Sequence, residues 1–279
     1  MSATLSARPA FRTTGRKVTG LGVLRSEWTK FWSLRSSWIT LVASVVALLV
    51  FGSVASFTYS SDGGAALNGP PGAGAGGPGD AVSLALAGST FAALGVGVLG
   101  VLMSAGEYGT GMVRSTFAAV PGRLPVLWAK AAVIGPLAMI VTMAGVLAAF
   151  LTGTVGLDGE TIALSLGDEG VPRSLVGAAV YLGLVAVLGV VLGSLVRSTA
   201  AGIASLVGIL FILPGLGSLL PDSLRDSISP YLPSNAGSSI FALQETSGSL
   251  SPGAGLAVFA GWVALAAAGA AVRLKKTDV

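Results

Sequence analysis

Apolar residues in this chain neither alternate with polar ones nor recur as a narrow helical stripe. They gather in six long runs, at 39–57, 81–105, 131–157, 174–196, 200–220 and 253–272. Each run is about 19 residues or longer, the length a helix needs to cross a hydrocarbon core of ~30 Å. In lipid every backbone N–H and C=O must be satisfied internally, which leaves helices and closed barrels. The runs lack the period-two alternation of a barrel strand, so the pattern predicts an all-α, polytopic membrane protein with six transmembrane helices. The fifth run contains Pro214-Gly215 and is expected to kink there. The basic lead-in to the first run is too long, and the run itself too apolar for too long, for a cleavable signal peptide. Residues 1–20 read as a disordered cytoplasmic tail and residues 21–279 as a single transmembrane domain.

Composition agrees. Of 279 residues, 53% are hydrophobic and only 10% charged, with a mean hydropathy of +0.84. A water-soluble domain of this size would expose far more charge. The chain has no cysteine and no histidine, which excludes disulfides, Cys/His metal sites and histidine acid–base catalysis together.

A pI near 9.7 raises the question of nucleic acid, but the positions of the charges answer it differently. Arg8, Arg12, Arg16, Lys17, Arg25, Lys30 and Arg35 precede the first run. Arg114, Arg123, Lys130, Arg197, Arg273, Lys275 and Lys276 fall on the same side once the runs are threaded back and forth, against Glu27, Glu107 and Asp278. The opposite side carries Asp62, Asp80, Asp158, Glu160, Asp168, Glu169, Asp222, Asp226 and Glu245, with only Arg173 and Arg225. The positive-inside rule puts both termini in the cytoplasm of a plasma-membrane protein. The basic excess then faces anionic membrane lipids, and no nucleic-acid partner is expected.

Ahead of the first run, "LGVLRSEWTKFWSLRSSW" places Leu24, Trp28, Phe31 and Trp32 at helical spacing, with Arg25, Lys30 and Arg35 interspersed. Aromatics mixed with Lys and Arg suit a helix lying in the membrane interface. The simpler alternative is an aromatic belt that begins the first span. The outer loop at 60–80 is rich in Gly and Pro and reads as a flexible linker. The acidic outer loop lacks the spacing of an EF-hand. In the last outer segment, 221–252, "SNAGSSIFALQE" is too short and polar to span; it is a candidate re-entrant segment.

No Asp, Glu, Lys, Arg or His lies in any of the six runs. Intramembrane ionisable residues mark proton relays and ion sites, so this pattern argues against a proton-coupled transporter, a charge-lined channel or an intramembrane protease. Small-residue pairs recur at Ala93/Gly97, Gly189/Gly193 and Ala264/Ala268. These are expected to serve packing within the bundle, with dimerisation as the alternative.

Between the second and third runs lies the longer interruption on the inner side, "GEYGTGMVRSTFAAVPGR" (106–123). A phosphate-cradling loop needs G-x-x-x-x-G-K-[ST]. None of Lys17, Lys30, Lys130, Lys275 and Lys276 follows a glycine, so the chain carries no such loop. Glu107 has only Tyr108 and arginines as titratable neighbours in its own stretch and reads as a solvated or ion-paired end group.

The stretch 106–133 resembles the first cytoplasmic loop of membrane subunits of ATP-binding-cassette (ABC) transporters of the type-two, export-associated class. That resemblance rests on an acidic residue (Glu107), Gly109-Thr110, a short helix over 112–119, the turn Pro121-Gly122-Arg123 and Lys130 entering the next span. "LRSEWTKFWSLRSSW" is similar to the lead-in of actinobacterial members, and "YLPSNAG" (231–237) to their last outer loop. The Gly/Pro-rich first outer loop departs from the pattern.

The resemblance implies a non-catalytic permease subunit of an exporter. Its coupling helix, roughly 109–119, would sit in a groove of a separate ATPase subunit. It implies Glu107, Tyr108, Gly109, Thr110, Met112, Arg114, Phe117 and Arg123 as the coupling residues. It also implies a homodimer or heterodimer of permeases and no cofactor in this chain, ATP being bound by the partner ATPase. A non-transporting scaffold or sensor subunit of the same fold is the alternative.

Overall fold

The computed structural model describes residues 19–59, 80–120, 122–217, 219, 221–244 and 248–276. Residues 1–18 of the expected tail (1–20), most of the Gly/Pro-rich loop, Pro121 of the turn, Glu245 and Asp278 lie outside the described residues, whereas Thr19 and Gly20 begin the first helix instead of ending a tail. The described residues are helical, without strands, and include six helices long and apolar enough to cross a membrane.

Helix α1 (Gly20–Ser33) begins at Thr19, whose Oγ1 accepts a hydrogen bond from Gly22 N at 3.3 Å. One extended residue, Leu34, separates it from the first spanning helix, α2 (Arg35–Phe57). The lead-in is therefore a helix of its own. Its inward face runs through Val23, Glu27 and Phe31 at i, i+4 and i+8, while Trp28 and Trp32 are exposed. The expected aromatic face is thus divided: Phe31 packs inward against Trp38, and Trp28 meets Trp32 on the outside in a tilted pair.

In α2 the polarity is inverted relative to a soluble helix. Ser37, Ser44 and Ser56 are buried, whereas Ile39, Val42, Val46, Val50, Val54 and Phe57 are exposed. Such an outward apolar face suits lipid, and small inward residues let helices approach.

The second run does not form one helix. Asp80 caps a short helix α3 (Ala81–Ala85), its Oδ1 accepting from Ser83 N at 2.6 Å. A tight turn follows, with Ser89 N donating to Leu86 O, and the spanning helix α4 (Ser89–Gly109) starts eight residues later than the run. Asp80 accounts for where α3 starts; the break falls at Leu86–Gly88, where Gly88 sits so close to Leu48 of α2 that a Cβ would collide with its backbone, a tertiary contact that hydropathy does not register.

After α4 come a short helix α5 (Met112–Ala119) and the spanning helix α6 (Leu124–Gly156). At 33 residues α6 is about 50 Å long, more than a hydrocarbon core requires, so its ends project into the interfaces. Helix α7 (Val171–Val196) is the centre of the bundle, packed against α4, α6 and the last helix. At Gly189 an added Cβ would collide with the carbonyl of Gly97, and at Gly100 with that of Ala186. The Gly189/Gly193 and Ala93/Gly97 pairs thus serve packing between α4 and α7, while Ala264 and Ala268 face outward.

The fifth span combines α8 (Thr199–Val207), a wide turn at Gly208–Ile212 and α9 (Leu213–Gly217). In the wide turn Leu213 N donates to Gly208 O, five residues back. Pro214 has no N–H, and its ring crowds the preceding turn, which accounts for widening rather than a break.

Two short helices follow, α10 (Asp222–Ile228) and α11 (Pro233–Ser239), then the last span α12 (Pro252–Lys276). Helix α11 is seated in the bundle, with Gly237 against the Tyr181 ring. Tyr181 lies ten residues into α7, about 15 Å along its axis.

Candidate functional site

On one side of the bundle the end of α4, the start of α6 and the ends of α7 and α12 converge around α5. Thr110 closes α4, its N–H donating to Gly106 O at 3.1 Å. Gly111 takes φ +73°, a left-handed conformation that costs glycine little, and the chain reverses into α5. Val113 is buried, and Phe117 packs against Val23, Val126 and Ala129 from α1 and α6. Met112, Arg114, Ser115, Ala118 and Ala119 form the exposed face of α5.

Beyond α5 the chain turns at Arg123, a non-glycine residue held at φ +50°. Its side chain offsets that strain with contacts: Nη1 donates to Leu274 O at 3.3 Å, and the guanidinium lies 5.7 Å from the Phe117 ring centroid. The turn that closes the loop is therefore tied both to α5 and to the end of α12.

Behind α5 lies a cluster of four charges. Lys130 Nζ donates to Glu27 Oε2 at 2.7 Å, to Glu107 Oε1 at 2.7 Å and to Met103 O at 3.0 Å. These three bonds use all three ammonium donors. Lys30 Nζ donates to Glu27 Oε1 at 2.6 Å and to Glu107 Oε1 at 2.9 Å. Glu27, Glu107 and Lys130 are 2%, 8% and 4% exposed. Burial works against the Lys30 ammonium, but its hydrogen bonds and Coulombic attraction to Glu27 and Glu107 prevail and raise its pKa above the ordinary 10.5.

Desolvating charges is expensive, and a buried pair tolerates it only when the remaining donors and acceptors are satisfied. Here two carboxylates and two ammonium groups alternate with no net charge. The cluster joins α1 (Glu27, Lys30), α4 (Glu107) and α6 (Lys130), the elements that hold both ends of the α5 loop. Its charges are committed to one another, so the arrangement works as a fastening and not as a poised acid or base. Among the described residues no group of three or more His, Cys, Asp or Glu gathers that would hold a metal ion.

Of the residues named from sequence, the structure brings Glu107 and Lys30 together in this cluster, and Phe117 together with Arg123. Tyr108 meets Arg197, whose guanidinium lies 5.5 Å from the Tyr108 ring centroid. Gly109, Thr110, Met112 and Arg114 are exposed on the corner and on α5. Arg25, Trp28, Trp32 and Arg35 are exposed on or beside α1, and Phe31 is buried. Phe117 thus belongs to the inward face of α5, not to its exposed face.

Sequence reasoning missed Glu27 and gave Lys130 no ionic partner. The signal for Glu27 was its position between Val23 and Phe31 on one helical face, where an acid implies a buried cation. It also missed Arg197 and the hydrogen bond between the Ser104 and Ser194 hydroxyls at 2.6 Å, which joins α4 to α7 nearby. Comparison with protein-family models, with curated proteins and with solved structures finds no match to this chain.

Proposed function

We propose that this chain is the membrane-spanning permease subunit of an ATP-driven ABC exporter, with α5 as the coupling helix that seats in a separate ATPase subunit. One observation carries the reading: α5 is a short helix between two spans, fastened from behind by the Glu27–Lys30–Glu107–Lys130 cluster, with its other face open. A helix held this way transmits a push to α4 and α6 as a lever, because neither end can yield without breaking buried ion pairs. Met112, Arg114 and Ser115 form the face offered to the ATPase, and Arg114 supplies charge for acidic or carbonyl partners.

The other features fit the same reading. Helix α1, with Trp28, Trp32, Arg25 and Arg35 exposed, suits the cytoplasmic interface of the plasma membrane. Helix α11, packed in protein beside Tyr181, suits a segment that dips into the membrane from outside. Two such permeases, identical or different, with two ATPases would form the working transporter, and ATP would be bound and hydrolysed by the partner.

The test is a search of the neighbouring coding sequence for an ATPase with a G-x-x-x-x-G-K-[ST] loop, followed by its co-expression with this chain. Met112→Asp combined with Arg114→Glu is expected to abolish co-purification and ATP-dependent export while the permease still folds. Unchanged assembly and export would refute the coupling role. Assembly with no ATP-dependent transport by the unaltered pair would favour a scaffold or sensor subunit.

A further inference from the structure

The charge cluster behind α5 leaves one acceptor unused. Lys30 and Lys130 both donate to Oε1 of Glu107, and among the described residues no group donates to its Oε2. A buried carboxylate oxygen without a donor is costly. One helical turn earlier on the same face of α4, Ser104 Oγ lies 2.6 Å from Ser194 Oγ of α7, and both side chains are buried. Two hydroxyls carry two protons, and their mutual bond uses one. The second proton meets no acceptor among the described residues.

These groups open on one cavity. Ser104, Glu107, Lys130 and Ser194 line it, and Val113 and Phe117 of α5 contribute apolar wall. Its volume is about 10 Å³, the room that a single water requires. The unused groups are one donor and one acceptor. A water satisfies both, accepting from the hydroxyl and donating to the carboxylate. Charge balance selects against other small occupants. Glu27 and Glu107 are already matched by Lys30 and Lys130, so an ion would bring an uncompensated charge into a buried place. A water brings none.

We infer that this cavity is a site for one ordered water, which takes the free proton of the Ser104–Ser194 pair and donates to Glu107 Oε2. The bridge carries the cluster, which joins α1, α4 and α6, across to α7 at the centre of the bundle. Ser194 is then a positioning residue for Glu107, acting through the water. The site stands on its own geometry, whatever docks on the exposed face of α5.

The test is X-ray radiolytic footprinting of the purified full chain in nanodiscs in heavy-oxygen water, where a bound water converted to hydroxyl radical oxidises the side chains beside it. Leu127 lines the cavity, Leu182 does not, and both are buried. Leu127 is expected to take up heavy oxygen about fivefold or more faster than Leu182, because a held water brings the radical to a buried side chain. Ser104→Ala with Ser194→Ala should remove most of that difference. Ser44→Ala, at a buried serine of α2, should leave it unchanged.

Equal uptake at Leu127 and Leu182 would mean a dry cavity and overturn the site. Fast uptake at Leu127 that the paired serine changes leave untouched would put the water off these hydroxyls and overturn the bridge. Should the double variant not fold, rapid mixing of the unaltered protein into heavy-oxygen water decides. Heavy label at Leu127 that trails the label at exposed Leu21 supports a held water, and simultaneous labelling refutes it.

Discussion

Glu27 and Lys130 are 103 residues apart in sequence and 2.7 Å apart in space, both buried. Their contact ties the lead-in helix α1 to the third span through a pair that water does not screen. Lys130→Met would leave two buried carboxylates facing only Lys30. The expected loss is about 3–5 kcal/mol, the range for removing one partner of a buried pair. Glu27→Gln combined with Lys130→Met should lose less than the sum of the single changes, because the two groups share one network. Thermal melting of the purified protein in detergent measures both.

Lys30 completes the cluster and sets its response to alkali. Its folded-state pKa is raised above 10.5 by Glu27 and Glu107, against the effect of burial. Its contribution to stability is therefore fully present below pH 10.5 and is lost as pH rises through the higher folded value. The melting-temperature difference between the unaltered protein and Lys30→Met should stay constant from about pH 8 to 10 and shrink above that. A difference that shrinks below pH 9 would contradict the assignment.

The contact between α4 and α7 makes a separate prediction. Gly189→Ala drives a methyl group into the Gly97 carbonyl, and neither backbone can step aside without moving a span. A loss of about 1–3 kcal/mol is expected, as for overpacking elsewhere. Gly261 has open space at the corresponding position, so Gly261→Ala should fall within about 0.5 kcal/mol of the unaltered protein. Parallel melting curves of the two variants check the contrast.

Hydropathy alone carried the six spans, because in a bilayer the backbone constraint leaves few alternatives. Where the reading failed, tertiary contacts had overridden it. At the start of the second span the turn at Leu86–Gly88, with Gly88 seated against the Leu48 backbone, cut a short helix out of an apolar run. In α1 the spacing of Trp28, Phe31 and Trp32 pointed to a wholly lipid-facing side, yet Glu27 was drawn inward by cations 3 and 103 residues away. No periodicity reveals Lys130 as its partner, since their meeting depends on how two spans pack. The exposed face of α5 was legible for Met112 and Arg114, but Phe117 turned inward because Val23 and Val126 offered it an apolar bed.

The absence of native cysteine allows orientation to be tested directly. Ser115→Cys on α5 and Ser165→Cys in the acidic loop are both at exposed positions. A membrane-impermeant maleimide added to intact cells should label Ser165→Cys and spare Ser115→Cys, with both labelled after permeabilisation. The reverse pattern would invert the topology.

The most direct measurement of the coupling claim is a photo-crosslinker attached to Arg114→Cys in native membranes, analysed by mass spectrometry. The account predicts an adduct to a protein carrying a G-x-x-x-x-G-K-[ST] phosphate loop, with a yield that changes when ATP is added, and no such adduct from Ser165→Cys. A folded Arg114→Cys variant that cross-links to no ATPase, with or without ATP, would contradict it.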